Sequence, residues 1–275
     1  MRRLGIGMVA LALAMVPAMA AFGQSGKASV SVLHGIPGEG GFAVDVYVNG
    51  DYSAPFLADF TFGTLAGPVE LDPGVYSIEI YGAGADPEAT DPALAFDTPS
   101  VAAGGSYTLV AHLTEAGAPT ASAFVNDTSA LAAGKARVAV RHVAAAPAVN
   151  VQLADGTNVF ENLTNPNEAK ADVDAGTLTV QVVAAADETI VALEPTALNL
   201  ADGTLTIVHA IGDFAGGSFT VVPQVISGLG AAPEGVPTGD SGLATDGLPV
   251  ALVAVMGAAA LAVAASGAKL VRERG

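Results

Sequence analysis

The 275-residue chain contains no cysteine and no tryptophan. Without thiols it has no disulfides, no thiolate nucleophile, no zinc–thiolate site and no iron–sulfur cluster. Aromatic residues make up only 5% of the chain, while glycine reaches 33 copies, so a core of small and β-branched side chains in turn-rich sequence is expected rather than a bulky helical one. Cations are scarce too: 10 Lys and Arg stand against 27 Asp and Glu, for a net charge of −17. Half of those cations, Arg2, Arg3, Lys269, Arg272 and Arg274, lie at the ends. Between them only Lys27, Lys135, Arg137, Arg141 and Lys170 face every acid but Glu273. A body this acidic repels phosphate, which argues against nucleic acid as a partner. The apolar fraction of 51% argues equally against a disordered chain.

The two ends carry what the middle lacks, long uncharged apolar runs. Met1-Arg2-Arg3 precedes an uncharged stretch from Leu4 to Ala21, and Ala18-Met19-Ala20 supplies small residues for cleavage. This predicts a signal peptide over residues 1–23. A glycine- and proline-rich acidic stalk is expected over 230–247, a transmembrane helix over 248–268 and a basic cytoplasmic tail over 269–275. Positive charge stays inside, so the chain is expected to be a type I membrane protein with its body outside the cytoplasm and the bilayer as a partner. The tail also has the plan of a Gram-positive sorting signal, which would place it on the cell wall. Its Val236-Pro237-Thr238-Gly239 and Leu243-Ala244-Thr245-Asp246-Gly247 fit the sorting motif only in part.

Between the ends, one pattern occurs twice. Val30, Val32 and His34 alternate along a strand, a Gly/Pro loop follows, and Val44, Val46 and Val48 alternate along the next. Val138, Val140 and His142, then Val149, Val151 and Leu153, repeat this. Asn49-Gly50 and Asp155-Gly156 end the second strand of each copy, and Asn-Gly suits a two-residue hairpin turn. Asp72-Pro73-Gly74 with Tyr76, Ile78 and Ile80 is matched by Asp174-Ala175-Gly176 with Leu178, Val180 and Val182. Stretches that are apolar on both faces, Tyr107 to Leu113 and Leu205 to Ala210, suit central strands. The expected fold is all-β: two tandem antiparallel β-sandwiches, immunoglobulin-like or transthyretin-like, of about seven strands each over residues 28–134 and 135–229.

The repeat openings resemble the bacterial family known as domain of unknown function 4397, whose units begin with a pattern like V-H-A-S-P-D-A-P-A-V-D-V. Val32, His34, Pro37 and Ala43-Val44-Asp45-Val46 carry the likeness in the first copy. Val140, His142, Pro147, Ala148-Val149 and Val151 carry it in the second, with Asn150 in place of the aspartate. Leu71 to Tyr76 resembles the family's later L-x-x-G-x-Y segment. The resemblance implies tandem β-sandwiches on an exported protein and assigns no catalytic residue.

All four histidines sit at repeat-equivalent places. His34 with His112, and His142 with His209, form candidate metal pairs if their strands are neighbours, although each pair lacks a third ligand. At the end of a strand beside two valines, a buried histidine bonded to backbone is the plainer reading. Asp86, Glu88 and Asp91 form the densest acidic loop and offer oxygen ligands for calcium, but lack the spacing of a calcium-binding loop. No catalytic constellation and no cofactor motif is found. The expected function is a non-enzymatic structural, binding or adhesion module of the cell envelope, with an envelope protein or glycan as partner. The alternatives are an extracytoplasmic metal-dependent hydrolase and a calcium-responsive adhesion module.

Overall fold

A computed structural model describes residues 26–38 and 42–230. The expected signal peptide, transmembrane helix and basic tail, and the stalk beyond Gly230, lie outside the described residues. Every described residue belongs to one compact unit, and all regular structure among the described residues is strand.

Alternating Val, Ile and Leu positions, broken at Gly, Asn and Asp turns, give eight strands per copy, one more than expected. The first copy runs through β1 (Ala28–His34), β2 (Val44–Val48), β3 (Leu57–Phe60), β4 (Leu65–Leu71), β5 (Ser77–Gly82), β6 (Leu94–Asp97), β7 (Ser106–Leu113) and β8 (Pro119–Val125). The second runs through β9 (Lys135–His142), β10 (Val149–Leu153), β11 (Asn158–Leu163), β12 (Glu168–Asp174), β13 (Gly176–Ala184), β14 (Asp187–Leu200), β15 (Leu205–Ile211) and β16 (Thr220–Ile226). The first sandwich pairs a sheet ordered β4-β1-β7-β8 with one ordered β3-β2-β5-β6. The second pairs β12-β9-β15-β16 with β11-β10-β13-β14, the same order strand for strand.

The sheets are not wholly antiparallel as expected. β1 runs parallel to β7, with His34 opposite Ala111, and β9 runs parallel to β15, with His142 opposite Ala210. Each connection between these partners passes through the other sheet of its sandwich, so no hairpin fixes their sense. The turns also differ between copies. Asn49 and Gly50 both have positive φ, 56° and 69°, as the sequence predicts. The chain then continues through residues 51–56 before β3 begins. At the second site only Gly156 has positive φ, and the Leu153 amide donates to the Thr157 carbonyl, which is a longer turn with a bulge.

Each sandwich has its own core. Val44, Val46, Phe60, Ile78 and Ile80 fill the first beside Val30 and Leu109, and Val140, Val149, Val151, Val180, Val182 and Val208 fill the second. A further cluster joins the two. Leu33 and Val110 of the first copy pack with Val143 and Ile211 of the second, flanked by Phe124 and Val222. The outward faces of β4-β1-β7-β8 and β12-β9-β15-β16 are therefore turned toward each other, which gives four sheet layers.

Candidate functional site

Strand alternation decides what the histidines can do. β1 and β7 are indeed neighbours, but His34 is opposite Ala111, so the next residue, His112, faces the other way. The same register separates His142 from His209. Each candidate metal pair is thus split across its sheet. His34 and His142 face inside their own sandwiches, and His112 and His209 face the seam between the sandwiches. Among the described residues, no three His, Asp or Glu side chains come together as a metal-binding group. In the acidic loop the Glu88 amide donates to the Asp86 carboxylate, a local turn on the surface, and Glu88 and Asp91 are exposed.

The seam holds a buried polar network that no motif marks. Arg141 is fully buried. Its Nε donates to Glu168 at 2.7 Å, its Nη2 donates to Asn126 Oδ1 at 2.8 Å, and its guanidinium lies 4.4 Å from the centre of the Phe124 ring. Thr108 of β7 donates to Asn126 and stands 3.0 Å from Gln224 of β16. The Gln224 oxygen accepts from His209 Nε2. Arg137 grips both oxygens of Asp172 at 2.7 and 2.9 Å and reaches back to Asp127 in the connection between the copies. Lys170 and Ser129 also bond to Asp127, and together these hold its carboxyl far below the usual range. Burial lowers the Arg141 pKa, opposed by Glu168. Burial, with the Arg141 charge beside it, lowers the pKa of His209 to about 3. His112 Nδ1 donates to its neighbour's carbonyl, leaving Nε2 to accept from Ser122.

Asp45 and Asn150, the position where the copies differ, do the same work. The Asp45 Oδ1 accepts from the amide of Asp59, and the Asn150 Oδ1 from the amide of Asn162. Both donors are residues with a φ of 50°. One oxygen suffices to clamp this irregular point in β3 or just before the end of β11, so aspartate and asparagine are interchangeable in it. Asp45 uses its second oxygen on the Gly84 amide.

The sandwich interiors differ most. A cavity of about 230 Å³ lies between the sheets of the first sandwich, lined by Val46, Ile80, Phe60, Ala111 and His34 among others. In the second, the corresponding space is about 40 Å³. There the long β14 lays Leu193 and Leu198 across the core, where the first copy has only the four residues of β6. At about 24 cal/mol per Å³, an empty space of the larger size costs on the order of 5 kcal/mol, comparable to the whole stability of a small domain. His34 lies on its wall, 5.8 Å from the Phe60 ring. Its Nδ1 accepts from the Ile36 amide at 3.3 Å, which places the proton on Nε2. Among the described residues, that Nε2 has no hydrogen-bond partner. Burial lowers the His34 pKa, and the Phe42 carbonyl opposes this without closing a hydrogen bond to Nε2.

No curated protein matches the chain. Among solved structures it is similar to the Bacillus anthracis TIE protein, at 13% identity and a TM-score of 0.22, over 68% of this chain and 34% of that one. The chain thus spans about a third of the length of that protein. It is also similar to a candidate cell adhesion protein from Bacteroides ovatus, at 10% identity and a TM-score of 0.23, over 74% of this chain and 99% of the other. At these scores neither likeness bears on function. The family model described as Domain of unknown function (DUF4397) matches residues 28–152, from β1 of the first sandwich into β10 of the second. That segment, which spans the first copy and opens the second, is similar to the family of domains of unknown function DUF4397.

Proposed function

We propose that the chain is a non-enzymatic structural or binding module of the cell envelope, held in the membrane by its C-terminal apolar segment with both sandwiches outside. The observation that carries this reading is the seam. Arg137, Arg141, His112 and His209, which in an enzyme would serve chemistry, bond instead to groups of the protein itself and hold strands and copies together. The acids lie largely on outer faces and turns, where they keep such a body soluble and unattractive to phosphate.

The test uses the full-length chain in intact bacterial cells. A membrane-impermeant amine reagent is expected to modify the exposed Lys27, Lys135 and Lys170 before lysis and Lys269 only afterwards. Protection of the first three until lysis contradicts the placement. Turnover of ester, glycoside or peptide substrates that a chelator abolishes would replace the reading with the metal-dependent hydrolase.

A further inference from the structure

The hollow first sandwich goes beyond that reading. Protein interiors are packed like organic crystals, with few voids larger than a water molecule. A space of about 230 Å³ exceeds the engineered cavity of about 150 Å³ that takes up benzene. It is also a property of one copy, since the same strand order encloses only about 40 Å³ in the other. The space is dry by composition. Of the polar residues on its wall, Thr98 accepts from the Tyr76 amide and Tyr76 donates to the Asp72 carbonyl. Among the described residues, His34 alone keeps a polar atom unpaired there, a buried N–H beside which a lone water would lack the two to four partners it needs. Phe42 and Phe56 line the cavity and are each 43% exposed, so its wall reaches solvent. The second copy shows the contrast, because its His142 Nε2 already bonds to the Pro147 carbonyl.

We propose that the first sandwich is a binding site for a small apolar molecule carrying one acceptor oxygen, with the hydrocarbon between the sheets and the oxygen on His34 Nε2–H. Medium-chain and aryl carbonyl compounds have this chemistry. The second sandwich is the closed support to which the site is fixed.

The test is calorimetric titration of the full-length chain in lipid nanodiscs, with empty discs subtracted, using acetophenone and α-methylstyrene. These probes share a shape and differ in the carbonyl oxygen. Both are expected to bind. His34→Phe should lower acetophenone affinity about tenfold, the usual scale for one buried hydrogen bond, and leave α-methylstyrene unchanged. Ala111→Leu, which fills the cavity, should abolish binding of both and raise the melting temperature. Ala210→Leu, at the equivalent place beside His142, should lower the melting temperature and spare binding. Val46→Ile, a smaller filling, should weaken both probes partially and keeps the test open if Ala111→Leu does not fold. No binding of either probe overturns the proposal, as does undiminished binding to the filled variants. Equal loss of both probes in His34→Phe, or loss of neither, overturns the role of His34.

Discussion

At the scale of single residues, this protein uses its rare charged and polar groups as internal fasteners. Asp45 accepts two backbone amides, those of Asp59 and Gly84. Asp45→Asn keeps an oxygen for the first, as Asn150 does in the other copy, and deprives only the Gly84 amide, so it should cost about 1 kcal/mol, less than the alanine substitution. Asp45→Ala leaves both amides unpaired and should cost about 1–3 kcal/mol in urea unfolding. The histidines give a pH dependence whose sign is set by burial. All four have pKa values below the ordinary 6.5, and His209 falls to about 3. Such a group takes up its proton more readily in the unfolded chain. Stability is therefore complete above about pH 6.5 and declines as pH falls below it, by up to about 1.4 kcal/mol per pH unit for each histidine still neutral in the fold, and for His209 the decline continues to about pH 3. Asp127 and Asp172, held low by Lys170 and Arg137, add their own loss only below the ordinary aspartate value of 3.8. Unfolding free energies measured from pH 7 to 4.5 should slope downward with acid, and His209→Leu should remove one histidine's share of that slope. An unchanged slope would mean that His209 is not held neutral by the fold.

At the scale of strands, the strongly alternating elements were legible and the irregular ones were not. Val30-x-Val32-x-His34, the valines of β2 and the doubly apolar β7 announced themselves by period. β4 contains Gly67 and Pro68, which read as a break. β14 runs for 14 residues with mostly exposed and half-buried positions, so no clean alternation marks it. The parallel pairing of β1 with β7 joins distant strands and leaves no local signature. The seam left a trace that spacing could have revealed. Arg137 and Arg141 lie four apart on a face shared with Ala139 and Val143, and Asp172 and Glu168 lie four apart on the strand that pairs with it. Matching charge spacings on an otherwise apolar face point to buried ion pairs. The cavity left no trace, because it arises from the length of β6 against β14 rather than from any motif. The copies also differ where they meet. Gly35 occupies the place of Val143, and a Cβ there would stand 3.0 Å from the Ala111 carbonyl and 3.1 Å from Ile211 of the second sandwich. Gly35→Val should therefore cost about 1–3 kcal/mol by overpacking, despite copying the sister repeat. A variant as stable as the parent would show that the two faces are not in close contact.

At the scale of the whole molecule, the duplication that the sequence displayed is joined more intimately than tandem repeats require. Leu33, Val110, Val143 and Ile211 form one cluster from two copies. Arg141, Asn126, Thr108, Gln224 and His209 form one network around it. Removing one member of a buried charged pair strands the other, a cost of about 3–5 kcal/mol. Shared burial of this kind makes the sandwiches a single cooperative unit, the rigid base on which a hollow first sandwich can act as a site. Scanning calorimetry of the full-length chain at pH 7.5 tests this most directly. The prediction is one transition whose calorimetric and van't Hoff enthalpies agree, moved to lower temperature as a whole in Arg141→Met. Two separate transitions in the parent chain, or a shift of only one of them in the variant, would contradict it.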